Sequence, residues 1–345
     1  MLTLRLPALT AAALLVGAIP LAAQTTTPTV SLGAGLQSSY QFTKPEGNDG
    51  TSQFLLNSAR LYVSGTASKN IKFMFNTEYN GSTQAIGVID AAAQISTSSK
   101  FNLWVGRFLP PSDRANLYGP YYSSHWGVYT DGVQDGYPFV TTGRDNGAMY
   151  WGQFGKVKAS AGLFDGESAT GNSELLFAGR VQVDLWDAED GYYLNGTYYG
   201  AKNLLALGGA VQAQDGNTAS SFDVLLERKV AGGGAVTVES EVTKYDGLGG
   251  YDGRYADSTG AYVLGAYLFP KMGDQPGQLQ VLGKFAKAKF EEGITPDYDQ
   301  KTTEINVNYI LNQFNARVMF FFRNTTFTEV KTDSKAVGVG LQIQM

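Results

Sequence analysis

The feature that most restricts this chain is a two-residue alternation of apolar and polar side chains, renewed from Val30 to Met345. Val30, Leu32, Ala34 and Leu36 alternate with Ser31, Gly33, Gly35 and Gln37. Ile71, Phe73, Phe75, Thr77 and Tyr79 oppose Lys72, Met74, Asn76, Glu78 and Asn80, and Val337, Val339, Leu341 and Ile343 oppose Gly338, Gly340, Gln342 and Gln344. A period of two places successive side chains on opposite faces of a β-strand. Runs of about ten residues match the length that crosses a bilayer when a strand is tilted.

An all-β chain can bury such faces in two ways. A soluble sandwich turns the apolar faces inward, whereas a membrane barrel turns them to lipid and keeps the polar faces around a lumen. The barrel is favoured by its mid-strand charges, since the polar faces carry Arg60, Glu78, Asp90, Arg180, Glu239, Lys284 and Arg317. Aromatic pairs near strand ends, such as Tyr40 with Phe42 and Tyr267 with Phe269, suit interfacial girdles. Short links (65–70, 97–100, 312–314) alternate with longer polar ones (44–52, 110–144, 215–220, 246–259). Taking Asp187–Lys202 as one extended periplasmic turn gives about sixteen strands, enough to enclose an aqueous channel.

Composition narrows the function classes. With no cysteine among 345 residues, disulfide frameworks and thiolate chemistry are excluded, and a net charge of −5 excludes a basic nucleic-acid surface. Residues 1–23 carry Arg5, an apolar stretch from Ala8 to Ile19 and a small-residue end at Ala22-Ala23, the layout of a signal peptide for export. The barrel domain is then expected over 24–345. No other stretch approaches the roughly 20 apolar residues of a membrane helix.

The connection at 110–144 is too long for an ordinary turn and too rich in Tyr, Phe and Trp for a disordered linker. It is expected to fold into the lumen as a constriction. Candidate pore-lining residues are Arg60, Asp90, Arg180, Arg317 and Arg323 from the strands, and Asp113, Arg114, Asp131, Asp135 and Arg144 from the loop. Rings of one sign would make the passage ion-selective; mixed signs would pin the loop to the wall and set a transverse field. Acidic residues are at least as numerous as basic ones here, so both readings stay open. No G-x-S-x-G nucleophile motif accompanies the lone His125, and Asp246–Asp257 lacks calcium-loop spacing; neither an enzyme nor a bound metal or cofactor is expected.

The sequence resembles the phosphate-selective porin O/P family. The resemblance is carried by Asn57-Ser58-Ala59-Arg60-Leu61-Tyr62-Val63, by Leu103-Trp104-Val105-Gly106-Arg107-Phe108 before Pro110-Pro111, by Arg144-Asp145-Asn146-Gly147, and by Gly200 to Gln214. It implies a sixteen-stranded, trimeric outer-membrane porin surrounded by lipid, whose third outer loop narrows the pore, passing small hydrophilic solutes or inorganic anions such as phosphate. Such proteins usually end in Phe or Trp, whereas this chain ends in Met345. The remaining alternatives are a channel specific for one anion or oligosaccharide, and a sealed barrel serving as anchor or adhesin.

Overall fold

The computed structural model describes residues 28–133, 143–166, 175–248, 255–293, 296–328 and 331–345. The expected signal peptide and Asp135 lie outside the described residues. The strands, in chain order, begin with β1 (Thr29–Pro45), β2 (Thr51–Ser68), β3 (Ile71–Asn80), β4 (Ala85–Ser98) and β5 (Phe101–Phe108). The short helix α1 (Arg114–Tyr118) precedes β6 (Asp145–Phe154), β7 (Val157–Phe164), β8 (Leu176–Asp184), β9 (Leu204–Gln214) and β10 (Asn217–Val230). Then come β11 (Gly234–Asp246), β12 (Tyr255–Leu268), β13 (Gln278–Gly293), β14 (Tyr298–Asn312), β15 (Ala316–Phe327) and β16 (Ser334–Gln344).

Each strand pairs antiparallel with its chain neighbours, and β1 pairs with β16 to close a sixteen-stranded barrel. Closure leaves no sheet edge unpaired, as a lipid setting demands. The last residue takes part: Ala34 N–H donates to the Met345 carbonyl at 3.0 Å, and Met345 N–H donates back at 2.9 Å.

The orientation of the two faces decides between sandwich and membrane barrel. Phe222, Val263, Ile305 and Phe320 are each about half exposed, while Glu239, Asn306, Arg317 and Gln342 on the other face are 0% exposed. A water-soluble protein would reverse this. The greasy faces look outward and the ionised ones inward, as in a barrel bathed in lipid.

Register follows chemistry at the turns. The link between β9 and β10 was expected to be a longer polar loop at 215–220. It is instead a two-residue hairpin, because Asp215 (φ 50°) and Gly216 (φ 81°) adopt the left-handed pair that a primed turn requires. Asn217 to Ser221 then continue the ladder against Gln214 to Ala210. At the opposite, short-turn end, the link at 185–203 is long, and it restores the alternation of strand directions as the sequence suggested.

Candidate functional site

The lumen is occupied by two segments that enter from opposite ends. The first is the connection between β5 and β6, the third link on its side of the barrel. Pro110 and Pro111 end the strand, and Asp113 then caps α1. Its carboxylate accepts the Asn116 backbone N–H at 2.9 Å and the Asn116 side-chain amide at 2.6 Å. Gly119, at φ 61°, closes the turn, as the left-handed region favours.

Beyond the helix the loop crosses to the far wall and is tied down through its backbone. Arg317 donates to the carbonyls of Ser123 (2.5 Å) and Tyr121 (3.2 Å), Gln342 to Tyr121 (2.9 Å), and Asn308 to Ser124 (2.9 Å). The Asn306 side chain accepts the Trp126 N–H at 3.0 Å. Glycines make room for the aromatic rings: a Cβ on Gly35 would lie 2.7 Å from the Tyr121 ring, and one on Gly340 would lie 2.6 Å from Trp126.

The second segment is the link at 185–203, which rises from the short-turn end and docks on the first. Leu194 N–H donates to the Leu117 carbonyl (3.2 Å), Gly196 N–H to that of Tyr122 (2.9 Å), and the Tyr192 hydroxyl to that of Leu109 (2.9 Å). Leu117, Tyr192 and Leu194 join Trp104, Phe108, Met149 and Phe164 from the wall in one buried apolar cluster. Part of the lumen therefore has a core of its own. Such packing is what holds an irregular backbone inside a barrel, where water is not there to satisfy it.

Charge fixes the junction. Arg114 grips Glu189 with two parallel bonds of 3.0 and 2.6 Å, and both side chains are wholly buried. Arg180 holds Asp223 by a similar fork at 2.5 and 2.8 Å, with Arg114 Nε 3.5 Å from the same carboxylate. Glu189 also accepts from Gln182 (2.6 Å) and from the Tyr198 hydroxyl (2.7 Å). Burial alone would raise the Glu189 pKa, but Arg114 outweighs it and holds the carboxyl down at about 2. Two further ties lie across the barrel: Lys284 is ion-paired with Asp131, and its ammonium lies 3.2 Å from His125 Nε2. Burial, and next the Lys284 charge, push the His125 pKa well below its ordinary value, so the ring is neutral.

Asp113 behaves oppositely to Glu189. Burial raises its carboxyl to about 6, against the bonds from Asn116, and the nearby Asp223 adds to the rise. A raised carboxyl favours the folded state below the unfolded value near 4, and that contribution is lost as pH rises through about 6. Asp113→Asn keeps the cap and removes the charge. Its melting temperature is expected to match the parent at pH 4 and exceed it at pH 8, checked by thermal unfolding in detergent at both values.

What remains open to water lies along β1–β4. Arg60 meets Glu78 at 2.9 Å, with side chains 9% and 14% exposed, and the Arg60 guanidinium lies 4.7 Å above the Tyr121 ring. Arg144 meets Asp90 at 3.3 Å, and Asn76 donates to the same carboxylate at 2.8 Å. Cross-strand register dictates both groups: Arg60 faces Glu78 across β2 and β3, and Asn76 faces Asp90 across β3 and β4. Tyr122 and Tyr193, one from each inserted segment, keep exposed side chains beside buried neighbours.

Of the sequence-derived candidates, Arg60, Asp90 and Arg144 border this strip, whereas Arg323 pairs with Glu304 across β14 and β15 at 3.0 Å. Asp113, Arg114, Asp131, Arg180 and Arg317 face the lumen as expected but are buried under the inserted segments, so they fasten loops rather than touch water. An inward register position cannot reveal whether a loop covers it. Glu78, read from the sequence on the lumen-facing side, is the cross-strand partner of Arg60. Glu189, Tyr122 and Tyr193 were not among the candidates, and Glu189 carried no signal before its segment was placed.

A closed sixteen-stranded barrel with a greasy exterior, a charged interior and an in-folded third loop is the architecture of outer-membrane porins. Solved structures agree on the fold. The anion-selective porin from Comamonas acidovorans superposes with a TM-score of 0.60 at 14% identity, over 92% of this chain and 100% of that one. The outer membrane channel DcaP of Acinetobacter baumannii gives 0.64 at 12% identity, over 93% and 99%. The trimer form of OmpT from Vibrio cholerae gives 0.56 at 15% identity, over 93% and 100%. In sequence, residues 30–120 match the family of phosphate-selective porins O and P. That span contains Asn57–Val63 and Leu103–Phe108, two of the segments that carried the resemblance, whereas Arg144–Gly147 and Gly200–Gln214 lie outside it. No curated protein sequence matches the chain.

Proposed function

We propose that this protein is an outer-membrane porin through which small hydrophilic solutes and ions diffuse passively along the β1–β4 side of the lumen. The observation that carries the reading is that strip: ionised side chains reach water inside the barrel there, while the rest of the described lumen is packed. His125 and Ser123, the nearest thing to a hydrolytic dyad at 2.9 Å, are both buried and tied to loop backbone and Lys284, which supports a channel over a catalyst. The neighbour described as anion-selective raises anion preference for this chain too. Here, however, Arg60 and Arg144 on the strip are each paired with a carboxylate, which supports weak selectivity. A trimer is proposed by analogy with the OmpT trimer.

The two inserted segments favour a second reading, a sealed barrel used as an anchor. Planar-bilayer recording separates the two. Stepwise conductance from refolded protein is expected, with a reversal potential near zero across a KCl gradient. Folded protein that inserts without steps would leave the sealed barrel standing and the porin rejected.

A further inference from the structure

On each inserted segment one tyrosine stays open between buried neighbours. On the first, Tyr121 is 0% exposed and Tyr122 is 40% exposed; on the second, Tyr192 and Leu194 are 5% and 2% exposed and Tyr193 is 38%. Neither tyrosine faces lipid. Tyr122 packs edge-on against Phe314 with ring centres 5.3 Å apart, and Tyr193 packs against Tyr192 (5.2 Å) and the inward-facing Trp104 (5.8 Å). Tyr122 follows Tyr121, whose ring lies 4.7 Å beneath the Arg60 guanidinium, and the two inserted segments meet where Gly196 N–H donates to the Tyr122 carbonyl at 2.9 Å. Hydrophobic burial acts against leaving two aromatic faces open in a packed lumen. Their surroundings are charge-balanced, Arg60 with Glu78 and Arg144 with Asp90.

We propose that Tyr122 and Tyr193 are the platforms of a binding site for uncharged, ring-shaped polyhydroxylated solutes, mono- and disaccharides, in the passage of this porin. The chemistry fits on three counts. A pyranose has an apolar C–H face that packs on a tyrosine ring. Its hydroxyls both donate and accept, and so can bond to carboxylates and guanidinium groups side by side. Its lack of charge suits a passage where Arg60 and Arg144 are each neutralised by a carboxylate, so that an inorganic anion meets Glu78 or Asp90 beside them. The site rests on the porin reading above and adds a solute class to it.

The test uses the full chain in planar bilayers, with KCl current recorded during titration with glucose, maltose, the acyclic alditol mannitol and inorganic phosphate. Glucose and maltose are expected to reduce the current saturably, while mannitol, of nearly the same size as glucose, gives only the small linear fall of added viscosity. Tyr122→Ala and Tyr193→Ala should each raise the half-blocking sugar concentration roughly two- to tenfold, the worth of one aromatic contact. Tyr122→Phe, which keeps the ring face, should stay near the parent. Equal block by mannitol, or saturation by phosphate but not by sugar, would overturn the site while leaving a conducting pore. Absence of current steps in any solution would overturn the porin reading and the site with it.

Discussion

Glu189→Ala is expected to lower the stability of the docked lumen by about 3–5 kcal/mol, because it strands the Arg114 guanidinium without its bidentate partner in a site with no access to water. Asp223 cannot take over: it is already gripped by Arg180, and Arg114 reaches it only at 3.5 Å. The loss should appear as earlier urea unfolding and, since Glu189 joins the two inserted segments, as larger and noisier current steps. Arg114→Met combined with Glu189→Leu removes both charges and keeps the volume, and it should recover much of the stability, as buried pairs replaced by apolar residues often do. The pH dependence has a fixed sign. A carboxyl held at about 2 contributes fully above its unfolded value near 4, and the contribution is lost as pH falls toward 2. The parent should therefore keep its step size from pH 7 down to about 5 and change below about 4, and Glu189→Gln should not show that acid transition. Identical steps and urea midpoints for parent and Glu189→Ala would show that the junction does not hold the two segments together.

The opposed pK behaviour of Asp113 and Glu189 has a simple origin. Both are buried carboxyls at the meeting of the same two segments, but Glu189 has the Arg114 guanidinium fork, whereas Asp113 bonds only to Asn116 amides, and the nearby Asp223 raises it more than Arg180 lowers it. Acid thus loosens one end of the junction while relaxing a strain at the other. The net response of the docked loop to pH is a difference between two contributions of opposite sign, and single substitutions are needed to separate them.

The barrel was legible in the sequence because strand periodicity is a local property. Ile305, Val307 and Tyr309 face outward and Glu304, Asn306 and Asn308 inward whatever the rest of the chain does, and the register confirms that placement. The extended turn was legible for a global reason: any further strand between Asp187 and Lys202 would have reversed every direction after it. Neither kind of reasoning reaches the lumen. Arg114, Arg180 and Arg317 look from the sequence like a ladder of cations for a passing anion. Whether they meet an anion, a carboxylate or a loop carbonyl depends on contacts such as Arg114 with Glu189, 75 residues apart, and Arg317 with Ser123, 194 apart. The hairpin at Asp215-Gly216 is a smaller case. Thr218 and Ser220 read as loop by polarity, yet a primed turn carries the ladder straight through them.

Arg60→Ala is expected to turn a weakly selective pore into a cation-selective one. The substitution leaves the Glu78 carboxylate, already partly exposed, without its 2.9 Å partner, and one unpaired negative charge then faces the passage. A unit charge about 4 Å from a passing ion is worth about 1 kcal/mol even at the permittivity of bulk water, and more where the walls exclude solvent. The K⁺ to Cl⁻ permeability ratio should rise roughly fivefold or more, read as a shift of the reversal potential toward that of K⁺. High salt should shrink the shift, because the Debye length falls to about 3 Å at 1 M. Glu78→Gln should move the potential the other way by freeing Arg60. The reciprocal exchange, Arg60→Glu with Glu78→Arg, keeps the pair neutral and should return it to the parent value. A buried salt bridge of merely structural importance would behave differently: either single substitution would reduce the yield of folded barrel, and the surviving channels would all show the parent potential. Opposite shifts of comparable size from the two single variants would place this pair in the path of the ions.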